Sequence, residues 1–187
     1  MRKLSVFNHV TLDGFFVDMH GEMNWAHRNG DEEWNKYTAE NAAGGAELLF
    51  GRVTYAMMAS FWPTPQAMES MPAVAKQMNA MPKVVFSRTL DQAAWSNTRL
   101  LKENLAGEVR KMKAAPGPGL LIFGSGTLVS QLAQEGLIDE YQFVVNPIVI
   151  GQGRTLFEGL QEKHSLKLVK TRSFQNGNVV LSYASGK

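Results

Sequence analysis

The composition of this 187-residue chain narrows its function before any motif is considered. Nineteen Lys and Arg residues against 17 Asp and Glu residues give a net charge of only +2, and no basic run is present, which argues against nucleic-acid binding. Cysteine is absent, which excludes disulfides, thiolate zinc sites, iron–sulfur clusters and cysteine nucleophiles. The length and a hydrophobic content of 44% are typical of one folded domain, expected over residues 1–187.

Hydropathy along the chain argues against a membrane protein. No part of the sequence approaches the roughly 18 consecutive apolar residues of a spanning helix. Polar side chains interrupt the first nine residues, which therefore lack the continuous apolar segment of a secretory signal. We expect a cytoplasmic protein that does not bind membranes.

The chain begins with a predicted strand, a loop and a helix. Residues 4–10 alternate apolar and polar side chains, as a strand does, and residues 11–14 contain the Thr, Asp and Gly typical of a turn. Acidic residues at positions 31–33 favour the first turn of a helix, which we expect to continue to about Ala43, where glycine ends it.

The middle of the chain alternates short apolar runs with amphipathic segments. The apolar runs predict strands at residues 47–50, 83–86, 98–101 and 120–123. The segments between and after them predict helices at residues 54–61, 65–81, 103–113 and 127–135. Four consecutive apolar residues, as in the last of these strands, are typical of a strand that is covered on both faces.

The C-terminal part is predicted to consist of strands. Residues 140–145 and 148–150 are apolar runs separated by an Asn-Pro pair. Residues 166–174 and 179–183 flank an Asn-Gly turn, which is the strongest short signal for a hairpin. Strands that alternate with helices and end in an antiparallel hairpin predict an α/β domain with a mixed sheet and helices on both faces.

Three of the predicted strands end in residues that suit phosphate binding: Phe50-Gly51-Arg52, Phe86-Ser87-Arg88 and Phe123-Gly124-Ser125-Gly126. The carboxyl ends of parallel strands lie at one edge of a sheet, so these segments would converge. The glycine turn would let backbone N–H groups approach an anion at the positive end of the following helix. Further candidate donors are the side chains of Arg52, Thr54, Ser87 and Arg88. The pattern indicates a phosphorylated dinucleotide, and the alternative is that these residues only form turns and solvated surface.

Six short motifs together resemble the dihydrofolate reductase superfamily, and within it the reductase domain of riboflavin biosynthesis. They are Leu12-Asp13-Gly14-Phe15, Leu49-Phe50-Gly51-Arg52-Val53-Thr54-Tyr55, Val85-Phe86-Ser87-Arg88-Thr89-Leu90, Ile122-Phe123-Gly124-Ser125-Gly126, Gly136-Leu137-Ile138-Asp139-Glu140-Tyr141 and Pro147-Ile148-Val149-Ile150-Gly151-Gln152-Gly153. The glycine motifs lack the third glycine of an ordinary Rossmann fingerprint. The resemblance implies a dihydrofolate-reductase-like fold of three layers, α/β/α, with a mostly parallel sheet and a C-terminal antiparallel hairpin.

The resemblance also implies which residues form the site. NADPH would be bound by Gly51, Arg52, Thr54, Ser87, Arg88, Gly124, Ser125, Gly126 and Thr127, with the first five at the adenosine 2′-phosphate and the last four at the pyrophosphate. The substrate would lie beside Asp13, Gly14, Trp34 and Tyr37. From the residues alone, Asp13 is better explained as a turn former, and Trp34 and Tyr37, three apart on one helical face, are equally explained as core residues.

Asp31 is the candidate catalytic residue. Dihydrofolate reductases have a carboxylate five residues after the Trp that precedes the first helix, whereas here Gly30 stands five residues after Trp25 and Asp31 follows it. This departure argues against folate reduction. The position of Asp31 also suits a plain N-terminal helix cap, which remains the alternative interpretation.

The predicted function is that of an NADPH-dependent reductase resembling 5-amino-6-(5-phosphoribosylamino)uracil reductase, which transfers a hydride to a small heterocyclic or sugar-derived substrate. The alternatives are a dihydrofolate-type pterin reductase and a non-catalytic nucleotide-binding protein of the same fold. No metal site is expected. A homodimer is expected, because the apolar C-terminal strands need a paired or covered edge.

Overall fold

The computed structural model describes residues 1–27 and 31–186, which form eight strands and six α-helices. The strands are β1 (Leu4–Thr11), β2 (Glu47–Gly51), β3 (Lys83–Phe86), β4 (Thr98–Leu101), β5 (Leu120–Phe123), β6 (Glu140–Asn146), β7 (Leu166–Ser173) and β8 (Val179–Ser185). The helices are α1 (Glu32–Ala43), α2 (Arg52–Phe61), α3 (Pro65–Ser70), α4 (Pro72–Ala80), α5 (Leu105–Ala114) and α6 (Gly126–Gln134). A short 3-10 helix, Asn24–His27, precedes α1.

All eight strands belong to one sheet, in the order β4-β3-β2-β5-β1-β6-β8-β7. The six strands from β4 to β6 are mutually parallel, whereas β8 pairs antiparallel with both β6 and β7. The predicted mixed α/β fold with a C-terminal antiparallel hairpin is therefore confirmed. Because the parallel strands share one orientation, their carboxyl ends form a single edge.

Side chains alternate between the two faces of the sheet, and helices cover both faces. Val6 and Ile122 pack with α5 and α6 in one core cluster. Leu48 and Phe50 pack with α2 and α4 on the other face, and Phe7 packs there with Trp34 of α1. The sheet is thus the middle layer of three, which explains why β2, β3 and β5 are apolar along most of their length.

β1 extends further than its neighbour β5 at the carboxyl edge. Pairing between β1 and β5 ends at Phe7 and Phe123, whereas pairing between β1 and β6 continues to Thr11 and Asn146. Beyond β5 the chain turns into α6. Within the described ranges, residues 8–11 of β1 therefore have a strand neighbour on one side only, and the turn before α6 lies on the other.

Two predicted elements differ from the structure. The expected helix 65–81 is two helices, because Pro72 disfavours helical backbone at Met71, whose φ is −141° and ψ is 61°. The expected strand 148–150 does not form. The N–H groups of Ile150 and Gly151 donate to the Asp13 carboxylate instead of to a strand, at 3.2 and 2.7 Å.

The hairpin strand β7 lies at the outer edge of the sheet and is exposed along most of its length, including Leu168 and Val169. An exposed apolar edge of this kind is open to pairing with another strand, so the expected homodimer stays a prediction. Among the helices of the described residues, none has the length and apolar character needed to cross a bilayer.

Candidate functional site

The turns that follow β2 and β5 are joined by side-chain hydrogen bonds at the carboxyl edge. The Gly51 N–H donates to Ser125 Oγ at 2.7 Å, and the Ser125 N–H donates to Thr54 Oγ1 at 3.1 Å. Three residues that the sequence assigned to the candidate cofactor site from two separate motifs are therefore in direct contact. The N-termini of α2 and α6 consequently lie side by side, and the positive ends of both helix dipoles face the same region.

The turn before α6 has left-handed backbone at two successive residues. Gly124 and Ser125 have φ values of 71° and 62°, in the left-handed region. A Cβ at Gly124 would lie 2.7 Å from Thr54 Cγ2, so any larger residue at this position would be strained in its backbone and would have to displace the Thr54 methyl group. The Gly124 N–H donates to the Phe7 carbonyl and the Ser125 N–H to Thr54 Oγ1, so the N–H groups that a ligand could use are those of Gly126 and Thr127 in the first turn of α6.

Gly126 accommodates an aromatic ring. A Cβ at this buried residue would lie 2.7 Å from Cζ and 2.9 Å from Cε1 of Phe16, which belongs to the loop after β1. The missing side chain of Gly126 therefore allows Phe16 to pack on the N-terminus of α6. The sequence had related this glycine only to the approach of a pyrophosphate, and did not indicate the contact with Phe16.

Two arginines supply positive charge at the same edge. Arg52 is the first residue of α2, Arg88 follows β3, and both are exposed. In the described part of the chain neither side chain makes a hydrogen bond or an ion pair. The Ser87 hydroxyl, by contrast, accepts the N–H groups of Thr89 and Leu90 at 3.2 and 3.0 Å, so it stabilises the turn that presents Arg88.

A cleft of about 300 Å³ lies beside the first turns of α6. Its lining residues come from α6 and from the segment that follows β6: Gly126, Thr127, Ser130, Gln131, Arg154, Thr155 and Glu158. Arg154 lies 3.8 Å from Glu158, a long and exposed ion pair. The cleft therefore offers a guanidinium and hydroxyl groups next to the N-terminal turn of α6.

Asp13 connects two loops of the carboxyl edge. Its carboxylate accepts the N–H groups of Ile150 and Gly151, and the Thr11 hydroxyl and these backbone groups lower its pKa. Gly14, with φ at 89°, completes the turn by donating its N–H to the Thr11 carbonyl at 3.0 Å. Asp13 and Gly14 thus have structural roles in shaping the loop that leads to Phe16.

Trp34 and Tyr37 do share one face of α1, with ring centroids 5.4 Å apart. Trp34 is only 7% exposed and packs edge-on against Phe174 and His9. Tyr37 is half-buried, and burial raises the pKa of its hydroxyl. The structure gives Trp34 a core position, and leaves Tyr37 between the core and the surface.

Asp31 caps helix α1. Its side chain accepts the Trp34 N–H at 2.7 Å, and its carbonyl accepts the Asn35 N–H at 2.8 Å. This is the geometry of an N-cap, with extended backbone at φ −124° and ψ 176°. One carboxylate oxygen is therefore committed to the helix, as the alternative interpretation of the sequence required.

The role of Asp31 as an N-cap can be tested by its effect on the stability of the protein. We expect Asp31→Ala to lower the free energy of unfolding by about 1 kcal/mol, and Asp31→Asn to change it by much less, because Asn caps nearly as well. Denaturant titration of the two variants measures this difference. A fall in turnover of about 10³ in Asp31→Asn, with stability and nucleotide binding unchanged, would instead identify Asp31 as a general acid.

Two features of the site were not predicted. Asn8 lies on β1 at the level of the glycine turn, and Phe16 lies on Gly126. Asn8 had a detectable signal, because it interrupts the apolar series Leu4, Val6 and Val10 on one face of its strand. The sequence contained no local signal for the role of Phe16, because this residue contacts Gly126, which lies 110 positions away.

The protein-family model for the RibD C-terminal domain matches residues 2–180 of the chain. Among curated proteins, the uncharacterized protein YyaP of Bacillus subtilis (strain 168) is 28% identical over 174 residues, which are 93% of this chain and 90% of that protein. The uncharacterized protein YwjB of the same organism is 26% identical over 173 residues, 92% of each chain.

Solved structures share the fold across the whole chain. A Shewanella sp. PV-4 protein, provisionally described as a riboflavin biosynthesis protein, superposes with a TM-score of 0.75 at 24% identity and full coverage of both chains. The bifunctional deaminase and 5-amino-6-(5-phosphoribosylamino)uracil reductase of Thermotoga maritima gives a TM-score of 0.67 at 15% identity. The match covers 98% of this chain and 57% of that enzyme.

Proposed function

Because this chain belongs to the RibD C-terminal domain family, we propose that it is a reductase that binds NADPH at the carboxyl edge of its sheet. The observation that supports this most is the junction of two helix N-termini through Gly51, Thr54 and Ser125. Two exposed arginines without partners among the described residues flank that junction. Neighbouring helix dipoles, backbone N–H groups and guanidinium groups are what a nucleotide with several phosphates requires.

The residues present fit the cofactor. The pyrophosphate would lie at the start of α6, just beyond the left-handed turn at Gly124 and Ser125, where the N–H groups of Gly126 and Thr127 have no intrahelical acceptor. The hydroxyl groups of Ser125 and Thr54 accept backbone N–H groups and keep their own hydrogens for donation. Arg154 and Thr127 border the adjoining cleft, where they would add a guanidinium and a hydroxyl donor.

Specificity for the phosphorylated nucleotide would come from Arg52 and Arg88. They lie at the ends of the adjacent strands β2 and β3, on the side of the turn that is remote from β1. A guanidinium binds a phosphate with two parallel hydrogen bonds, and the unphosphorylated ribose of NADH offers no such partner. We therefore expect a preference for NADPH over NADH.

Arg88→Ala tests this role. We expect it to weaken NADPH binding by roughly 10-fold or more, because a charge-assisted contact contributes about 1.5 to 3 kcal/mol, and to leave NADH binding almost unchanged. Isothermal titration of both nucleotides measures the two affinities. Arg110→Ala is the matched control, since Arg110 is an exposed arginine paired with Glu135 on the α5 side of the molecule. Equal losses for NADPH and NADH in Arg88→Ala would contradict the assignment.

Bound NADPH supplies a hydride, and the protein supplies orientation and exclusion of water. Phe16 would shield the pyrophosphate and the adjoining ribose, since its ring already packs on the N-terminus of α6. The substrate would enter on the α1 side of β1, where Trp34 and His9 meet. A small heterocyclic or sugar-derived compound with an electrophilic carbon suits that position.

Oxidation of NADPH, followed by its absorbance, tests the proposed reaction. The ribosylaminopyrimidine substrate of riboflavin reductases and dihydrofolate are the two probes to compare. Turnover of the first alone supports a riboflavin-type reductase, and turnover of the second alone supports a pterin reductase. Tight binding of NADPH without oxidation by either compound would favour a nucleotide-binding protein.

A further inference from the structure

Asn8 has a buried amide without a partner. The residue is 5% exposed, and within the described residues its Nδ2 has no hydrogen-bond acceptor. It occupies a position of β1 between Val6 and Val10, both of which pack in the apolar cluster beneath α6. A buried donor without an acceptor destabilises a fold, so an unpaired one in this place requires a reason.

The position of Asn8 along the sheet suggests that reason. The Gly124 N–H reaches back to the Phe7 carbonyl at 3.4 Å, which brings the turn before α6 next to the start of the one-sided part of β1. Asn8 is the first residue beyond the last pair formed by β1 with β5. Its amide therefore lies beside the candidate pyrophosphate turn, on the strand next to it.

The order of the strands matches the order of groups in an extended dinucleotide. Arg88 follows β3, Arg52 follows β2, Gly124 follows β5, and Asn8 lies on β1, and these four strands are consecutive in the sheet. Strands are about 4.8 Å apart, so β3 and β1 are separated by about 14 Å. The 2′-phosphate, the pyrophosphate and the nicotinamide ring follow each other in the same sequence along NADPH. If Arg52 and Arg88 bind the 2′-phosphate, the nicotinamide ring at the other end of NADPH would lie at β1.

We propose that Asn8 binds the nicotinamide carboxamide, with Nδ2 donating to its oxygen. The proposal rests on NADPH being the cofactor. The neutral amide of Asn8 suits the neutral carboxamide of the nicotinamide, whereas the phosphates of NADPH would be bound by guanidinium and backbone N–H groups. Asn8 is thus a positioning residue that would fix the orientation of the nicotinamide ring beside β1.

Asn8→Leu tests the contact, because leucine has a similar volume and no donor. The two probes are NADPH and 2′-phospho-ADP-ribose, which keeps both phosphate groups and lacks the nicotinamide. We expect Asn8→Leu to weaken NADPH by roughly 10-fold and to leave the affinity for 2′-phospho-ADP-ribose unchanged. Titration calorimetry on the full chain measures both affinities, without turnover.

Thermal unfolding of the ligand-free variant separates this role from a structural one. Removing a buried amide that has no partner should leave the melting temperature unchanged or raise it. Asn8→Ala provides a second variant that also lacks the donor, should the leucine fail to fit. It is expected to discriminate between the two ligands in the same way.

Three results would overturn the proposal. Unchanged NADPH affinity in both variants would mean that the amide makes no contact with the cofactor. Equal losses for both ligands would mean that Asn8 acts on the phosphate turn or on the fold. Failure of the unmodified protein to bind NADPH would contradict the proposed function itself. This result can be distinguished from a failure of the Asn8 proposal because it is observed without any variant.

Discussion

Replacing Glu47 by alanine is expected to lower the free energy of unfolding by about 3 to 5 kcal/mol. Glu47 begins β2 at the amino edge of the sheet and pairs with Arg2 and Arg99, each at 2.7 Å. The Arg2 side chain is only 7% exposed, so the substitution leaves a buried guanidinium without its counter-charge. Denaturant titration of Glu47→Ala measures the loss.

Arg99→Ala is the control for Glu47. The Arg99 side chain is 60% exposed, so removing it should lower stability by no more than about 1 kcal/mol. A loss in Arg99→Ala that equals the loss in Glu47→Ala would show that the buried Arg2 partner is not what makes Glu47 important. The network lies at the edge opposite to the candidate site, so nucleotide affinity should be unchanged in both variants.

The same network predicts a dependence on acid. Burial alone would raise the pKa of Glu47, but the hydrogen bonds from Arg99 and Arg2 outweigh it and hold the pKa below its ordinary value. The unfolded chain therefore binds a proton more readily than the folded one. The contribution of Glu47 to stability is complete above the pKa of an unfolded glutamate, and is lost as the pH falls through the lower folded value. Glu47→Gln should flatten this part of the stability profile.

Gly124→Val is expected to weaken NADPH binding by at least about 100-fold. Valine strongly disfavours the φ of 71°, and its Cβ would lie 2.7 Å from Thr54 Cγ2. The turn has to rearrange, and loss of two hydrogen bonds to a charged group costs about 3 kcal/mol or more. Titration with NADPH measures the affinity, and circular dichroism establishes that the variant is folded.

Gly136→Val separates backbone strain from loss of the site. Gly136 has φ at 61° directly beyond α6, and no atom lies within 4 Å of a Cβ placed there. The strain should therefore resemble that at Gly124, but nucleotide affinity should be retained. A similar loss of affinity in both variants would mean that strain in α6, and not the turn itself, weakens binding.

Local patterns were sufficient for most of the secondary structure. Alternation in β1, the apolar runs of β2, β3 and β5, and the acidic start of α1 each depend on residues a few positions apart. The proline at position 72 was a local signal for the break between α3 and α4 that the wider helical pattern obscured. The strand expected at 148–150 does not form: the Ile150 N–H donates to Asp13, a partner far along the chain, and the Ile148 N–H donates to the nearby Asn146 carbonyl.

Periodicity and glycine turns are local properties, so the α/β fold and the three strand ends at one edge could be predicted from the sequence. How those ends contact each other could be seen only in the folded structure. Ser125 forms hydrogen bonds with Gly51 and Thr54, which lie more than 70 residues earlier in the chain. Phe16 packs against Gly126, where there is no side chain. The unpaired amide of Asn8 likewise depends on where β5 ends beside β1. Such contacts arise from the packing of distant segments, which no pattern of neighbouring residues specifies.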